Sequence, residues 1–261
     1  MMTLKENIQR YRDIIRSMIR TRFGSRSRLD DASYNADGMA TWRKAAGFLH
    51  SESFQKAYKR GEESGHNIGQ GRHLHIEWRV HIAICMAIHG CKLQGDFVEC
   101  GVNTGIMSLA ICDYLNFKDL PKTFYLFDTF SGIPKDQITE EEAALGRHAE
   151  EKLYFECYDI TKSNFKDFPN VKLIKGKVPD TLPLAPIDKV SYLHLDMNIV
   201  EPERAAIEYF WDKLSPGAPV LLDDYGWKGF LPQRRAMDEF AQSKSCAICE
   251  LPTGQGLLLK P

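Results

Sequence analysis

Two acidic segments close apolar runs in the second half of this 261-residue chain: His194-Leu195-Asp196-Met197-Asn198 and Leu221-Leu222-Asp223-Asp224-Tyr225-Gly226. If these runs are neighbouring strands, three carboxylates meet at one sheet edge, and like charges that close are unfavourable unless a cation sits among them. Hard oxygen donors of this kind select Mg2+ or a similar ion. The plainer use of Asp223-Asp224 is to start a turn before Gly226.

An earlier run closes in Glu99-Cys100-Gly101-Val102-Asn103-Thr104-Gly105 and continues into a helical segment from Ile106. Gly101 and Gly105 let backbone approach a ligand at a strand-to-helix turn, although glycines also close purely structural turns. The spacing is GxxxG, not GxGxxG, and no Gly-Lys-Ser/Thr follows, so neither a dinucleotide pyrophosphate nor a nucleoside triphosphate is indicated. About one βαβ unit downstream, Phe127-Asp128-Thr129-Phe130 offers a carboxylate that could accept both hydroxyls of a ribose. Its alternative is to cap the FSGIP turn that follows. His73, Glu77 and His81 stand at i, i+4 and i+8, a spacing that could chelate a metal or simply mark a solvated helix face. Cys246 and Cys249 form a CxxC with no second pair, in a strand-like run that favours core packing over redox or zinc chemistry.

The elements that must position these residues show in the hydrophobic pattern. From Gly95 onward, short apolar runs at Asp96–Cys100, Phe124–Phe127, Val171–Ile174, Val190–Leu195 and Pro219–Leu222 alternate with helix-length segments. That is the rhythm of a parallel sheet covered on both faces, and ligands bind such sheets beyond the carboxyl ends of the strands. The last two runs, Ala247–Leu251 and Gly256–Leu259, are joined by four residues, too few for a crossover, so they pair antiparallel. Ahead of the sheet, the pattern predicts a helix from Leu74 to Ile88, stopped by Gly90. Residues 29–72 are polar and only patchily periodic, which suggests a mobile cap. Residues 1–28 carry eight basic side chains against Glu6 and Asp13, a net +6, with Ile8, Tyr11, Ile14 or Ile15, Met18 and Ile19 at helical spacing. This basic helix could meet an anionic membrane surface or nucleic acid, or pack on the body or on a second subunit.

Composition narrows the class. The chain is 43% hydrophobic and 26% charged with a formal net charge of −1, an ordinary globular composition with no chain-wide charge for nucleic acid. At this length a full core forms without disulfides. The seven cysteines are odd in number and irregularly spaced, as expected of reduced, buried thiols. No apolar run approaches the roughly 20 residues of a spanning helix, and the charged N-terminus lacks a signal-peptide core, so a cytoplasmic protein is expected.

The segments GDFVECGVNTG, LFDTFSGIP, LHLDMNIVEPERAAIEYFWDKLSPGAPVLLDDYG and TGQGLLLKP resemble the macrocin O-methyltransferase family, over about Gly95 to Pro261. Members are O-methyltransferases of sugars and natural products that use S-adenosylmethionine (SAM) and a divalent metal. The resemblance implies an α/β fold, the class I methyltransferase (Rossmann-like) sheet of seven strands with an antiparallel last strand. To it the chain adds an N-terminal helical extension, so that 1–72 form a basic helix and cap and 73–261 the methyltransferase domain. It further implies that Glu99, Cys100, Gly101, Val102, Asn103, Thr104 and Gly105 hold the methionine part of SAM and that Asp128 holds the ribose. Thr129, Gly176 and Asp196 are further cofactor candidates. Asp196, Asp223 and Asp224 would bind Mg2+, with Asn198 and Tyr225 towards the acceptor.

Where the family usually reads Asp-x-Asp, this chain has Asp196-Met197-Asn198, and Ile199-Val200 follow in place of the common Leu-Tyr. Asn198 accepts no proton, so the base falls to Asp196, a water on the ion, His194, or His148 from the long 131–160 insertion. The expected partners are a small sugar or polyol acceptor and a second copy of the chain, with no nucleic acid and no membrane span. Two other readings remain open: SAM transfer without a metal to another acceptor, and a non-catalytic partner subunit of the same fold.

Overall fold

A computed structural model describes residues 31–66, 73–150 and 154–261. The basic segment 1–28 lies outside the described residues. Contacts divide the chain into two units, one ending at Ala46 and one spanning Gly47–Pro261. In the first, strands β1 (Tyr34–Ala36) and β2 (Met39–Thr41) pair antiparallel around Asp37-Gly38. Both turn residues have positive φ (52° and 69°), the geometry that a two-residue hairpin turn requires and that Asp-Gly supplies.

The second unit opens with helix α1 (Glu52–Glu62), which buries Phe54, Ala57 and Tyr58 in the same core as the main sheet. This helix lies in the stretch whose overall polarity suggested a mobile cap; one apolar face suffices to dock it. Helix α2 (Glu77–Gly90) begins three residues later than the periodicity predicts. The approach to it is held by Tyr58, whose hydroxyl donates to the Leu74 carbonyl (2.6 Å) and accepts from the Ile76 amide (3.1 Å).

Strands β3 (Asp96–Cys100), β4 (Phe124–Asp128), β5 (Val171–Lys175), β6 (Val190–Leu195), β7 (Pro219–Leu222), β8 (Cys249–Glu250) and β9 (Gly256–Leu259) form one sheet in the order β5-β4-β3-β6-β7-β9-β8. The first five are parallel, and β9 runs antiparallel to both β7 and β8, as the short link between the last two strands requires. Helix α3 (Ile106–Leu115) follows β3; α4 (Glu140–Ala144), α5 (Arg147–Glu150) and α6 (Tyr158–Asn164) lie between β4 and β5; α7 (Val200–Trp211) and α8 (Leu231–Ser243) follow β6 and β7.

Side-chain alternation divides the core. Phe97, Phe124, Leu126 and Tyr192 pack with α1, α2 and α3, whereas Val98, Phe127, Leu193 and Leu195 pack with α7 and α8. The chain leaves β3 towards β4 and β5, then returns to β6 on the other side of β3. The carboxyl ends of β3 and β6 therefore flank the switch point where an open sheet leaves a crevice. Among the described residues, no helix is long and apolar enough to cross a membrane.

Candidate functional site

The crevice is a cavity of about 300 Å³ walled by the loops after β3, β4, β5, β6 and β7. Gly101 (φ 89°) begins the loop after β3, and any Cβ there would collide with the carbonyl oxygen of Asp196. Ladder hydrogen bonds continue past the strand ends, Asp196 N to Cys100 O at 2.9 Å and Asp223 N to Leu195 O at 3.0 Å. The acidic residues and the glycine loop are thereby brought edge to edge. Gly105 (φ 94°) caps α3, and a Cβ there would meet the Phe165 ring.

Asp128 stands at the end of β4, as the sequence indicates, and fastens the glycine loop. Its Oδ2 accepts the amides of Val102 (2.6 Å) and Asn103 (2.7 Å), and its Oδ1 accepts the amide of Phe130 (2.5 Å). Asn103 (φ 50°) is held further by Thr161 Oγ1, which donates to its carbonyl at 2.8 Å. Gly176 (φ 141°) donates its amide to the Asp128 carbonyl at 2.9 Å, which brings the loop after β5 to the same wall.

The structure brings Glu99, Gly101, Val102 and Asn103 onto the cavity wall together with Asp128, Thr129 and Gly176. Asp196, Asn198, Asp223 and Asp224 complete its acidic side. Cys100, Thr104 and Gly105 support the loop from outside that wall. Tyr225 also lies off it, because the chain turns after Asp224 and its hydroxyl donates to Asp238 Oδ1 (2.5 Å). His148 is exposed on α5, away from the wall. His194 is fully buried on β6, Nδ1 3.4 Å from Glu99 and Nε2 3.6 Å from Asp223. Burial alone would lower its pKa, but the two carboxylates hold the imidazole well above its ordinary range.

Asp223 is almost completely enclosed. Arg79 of α2 donates to its Oδ2 at 2.6 Å and Gln255 to its Oδ1 at 2.8 Å. Burial pushes its pKa up, but Arg79, then His194 and Gln255, hold it below the usual carboxylate range. Asp196 and Asp224 shift the other way: burial, reinforced by neighbouring carboxylates, raises both. Oδ2 of Asp224 is buried with no hydrogen-bond partner among the described residues. One ligand atom each of His194, Asp196 and Asp223 lies within 4.8 Å of the other two. The donors facing this point are carboxylate oxygens of Asp196, Asp223 and Asp224, hard ligands, with a His194 nitrogen beside them. This donor set fits a divalent ion of the Mg2+ type.

Arg79, Gln255 and His66 were not legible as site residues. His66 lines the cavity with its Nδ1 3.4 Å from Asn103 Nδ2, and burial, then Arg79, lowers its pKa to about 4. Glu203 and Glu142 shape the loop after β6. Glu203 Oε1 accepts the Met197 amide (3.0 Å) and Gln233 Nε2 (2.9 Å), while Glu142 Oε1 accepts the Val200 amide (2.6 Å). Asn198 is left in the left-handed region at φ 65°.

The His73, Glu77, His81 pattern is not one helix face, since α2 starts at Glu77. The His81 ring stacks on Phe48 with centroids 3.9 Å apart. All seven cysteines are free; Cys100, Cys112 and Cys157 are buried as expected, but Cys85, Cys91 and Cys246 are half-buried and Cys249 faces solvent.

A family model described as macrocin-O-methyltransferase (TylF) matches residues 67–248. The chain is 29% identical over 160 residues to a demethyldecarbamoylnovobiocin O-methyltransferase of Streptomyces niveus, covering 58% of this chain and 60% of that protein. It is 27% identical over 146 residues to a mycinamicin III 3''-O-methyltransferase of Micromonospora griseorubida, covering 51% and 56%. The matches thus span little more than half the length of these curated relatives. Among solved structures, the O-methyltransferase NovP superposes with a TM-score of 0.60 at 23% identity, covering 70% of this chain and 79% of that one. The calicheamicin methyltransferase CalS11 gives 0.54 at 16% identity, covering 91% and 98%. These two likenesses establish the class I methyltransferase fold.

Proposed function

The chain belongs to the macrocin O-methyltransferase family, and from that premise we propose that it transfers a methyl group from SAM to a hydroxyl of a sugar or natural-product acceptor with a divalent ion in place. The observation that carries this reading is that the glycine loop, Asp128 and the carboxylates Asp196, Asp223 and Asp224 wall one cavity. When bound, SAM supplies an electrophilic methyl group and the ion supplies Lewis acidity towards an acceptor oxygen.

The protein's part is to bind, orient and exclude water. The loop from Gly101 to Asn103 brings backbone to the methionine end of SAM, and the missing Cβ at Gly101 lets that loop lie against the Asp196 backbone. Asp128 keeps that loop in place and, through its remaining lone pairs, takes the ribose hydroxyls. Phe130, Ile133 and Val178 give the cavity an apolar side suited to the adenine ring and to keeping water from the sulfonium. Asp196 and Asp224, with Asp223 beside them, would hold the ion, and Asn198 would contact the acceptor.

In-line displacement needs oxygen, carbon and sulfur aligned, and a single cavity lined by both sets of residues supports that requirement. The proton of the acceptor hydroxyl goes to Asp196, whose carboxyl stands on the wall and whose pKa burial raises. Of the other candidates, His148 is exposed away from the wall and His194 is confined between Glu99 and Asp223. The Arg79 to Asp223 ion pair favours a second reading in which Arg79 is the permanent cation and SAM transfer proceeds without a metal.

Calorimetry with SAM and S-adenosylhomocysteine, followed by transfer assays on sugar and phenolic hydroxyls with Mg2+ and with EDTA, tests both. Absence of cofactor binding by folded protein overturns the methyltransferase reading. Full activity in EDTA selects the metal-free one.

A further inference from the structure

We propose that Arg79 is a built-in competitor for the divalent ion: its guanidinium occupies Asp223 Oδ2, and the ion binds against that pairing. The inference rests on the metal-dependent reading above and concerns how that site is tuned.

Arg79 Nη1 stands 2.6 Å from Asp223 Oδ2, and only 17% of the arginine side chain and 4% of the aspartate side chain are exposed. The guanidinium also lies over the Trp227 ring, 5.6 Å from its centroid, and Trp227 in turn packs against Gly254, where a Cβ would collide with the indole. The arginine is therefore clamped between a carboxylate and an aromatic face. A solvated helix residue that drifted into reach would have neither constraint. The other oxygen of Asp223 is committed as well, accepting from Gln255 at 2.8 Å.

Asp224 contrasts with this. It belongs to the same turn, yet its Oδ2 is buried and finds no hydrogen-bond partner among the described residues. An arriving ion thus meets one carboxylate with an open lone pair and another whose two oxygens are already engaged by the Arg79 guanidinium and the Gln255 amide. A cation drawn to Asp223 has to share it with a guanidinium fixed at hydrogen-bond distance, and in a buried site two like charges a few ångströms apart repel strongly. Arg79 therefore lowers the affinity of the site for the ion.

The test compares Mn2+ and Mg2+ binding to the full chain, to Arg79→Met, to Arg79→Gln and to Arg79→Lys. Free Mn2+ is read by electron paramagnetic resonance and heats by calorimetry, with SAM affinity and thermal midpoint measured alongside. Arg79→Met and Arg79→Gln should bind Mn2+ at least about tenfold more tightly than the parent, and Arg79→Lys, which keeps the charge, should not. Gln still donates to Asp223, so it carries the test if Met disturbs folding. Equal or weaker binding in both neutral variants overturns the proposal while leaving the metal reading intact. Binding to none of the four proteins overturns both. Binding to the neutral variants but not to the parent supports competition and makes Arg79 a complete substitute for the ion.

Discussion

The backbone amide of Val102 donates to Oδ2 of Asp128 at 2.6 Å, so the carboxylate at the end of one strand sets the shape of the loop after its neighbour. Asp128 consequently has two tasks, one present before any cofactor arrives. Asp128→Asn keeps the shape but turns an amide group towards backbone donors. Hydrogen bonds to a charged acceptor are each worth about 1.5–3 kcal/mol. SAM affinity should fall at least roughly tenfold, and the melting temperature of the cofactor-free protein should fall too. If Asp128 served the ribose alone, the melting temperature would not move. Calorimetry and thermal melts on one preparation check both.

Asp224 gives a prediction of opposite sign for stability and for activity. A buried carboxylate oxygen without a partner costs free energy in the folded protein. Asp224→Asn, measured in EDTA, should therefore leave the melting temperature unchanged or raise it. The same substitution, or EDTA itself, should abolish methyl transfer while SAM affinity stays within about threefold, since the sulfonium has no need of a second cation. Loss of SAM binding on metal removal would show that the two halves of the cavity are not separate.

Glu203 makes stability depend on pH. Burial raises its pKa from 4.5 to about 7, against the lowering influence of Gln233 and the Met197 amide. The folded protein then keeps a proton that the unfolded chain releases between those values. This contribution is complete below pH 4.5 and is lost as pH climbs through about 7, amounting to roughly 3 kcal/mol from the size of the shift. Glu203→Gln retains an acceptor for Met197 but cannot ionise, so urea unfolding between pH 4.5 and 8 should lose that downward slope. A slope identical to the parent's would assign the pH dependence to other groups.

What the sequence disclosed and what it withheld follow from distance along the chain. The five parallel strands announce themselves as short apolar runs, and the short link between the last two runs fixes their antiparallel pairing. Asp196, Asp223 and Asp224 were legible because a carboxylate that closes an apolar run is locally conspicuous. Arg79 was not, since an arginine near the start of a helix resembles any solvated residue and its partner lies 144 positions away. His66 and Gln255 are hidden for the same reason. Tyr225, which the resemblance puts towards the acceptor, follows Asp224 but lies off the cavity wall, its hydroxyl donating to Asp238. Asp37-Gly38 carried a hairpin signal, yet strands of three residues are too short to show alternation.

The last prediction separates the two polar residues that end β6. Asp196 and Asn198 both stand on the cavity wall, two positions apart, but their backbones differ: Asn198 is left-handed at φ 65° and follows a residue tied to Glu203. An aspartate tolerates that conformation nearly as well as asparagine, so Asn198→Asp should fold with an unchanged melting temperature. If Asp196 receives the acceptor proton, the added carboxylate is redundant and kcat should stay within about threefold of the parent. Asp196→Asn should reduce kcat by at least about a hundredfold, in the range a general base supplies, with SAM affinity kept. The double exchange Asp196→Asn with Asn198→Asp should not recover activity, because a carboxylate at 198 is carried on a left-handed backbone two positions further along the loop. A rise of tenfold or more in Asn198→Asp alone would show instead that position 198 is where a base belongs and that this chain works without one.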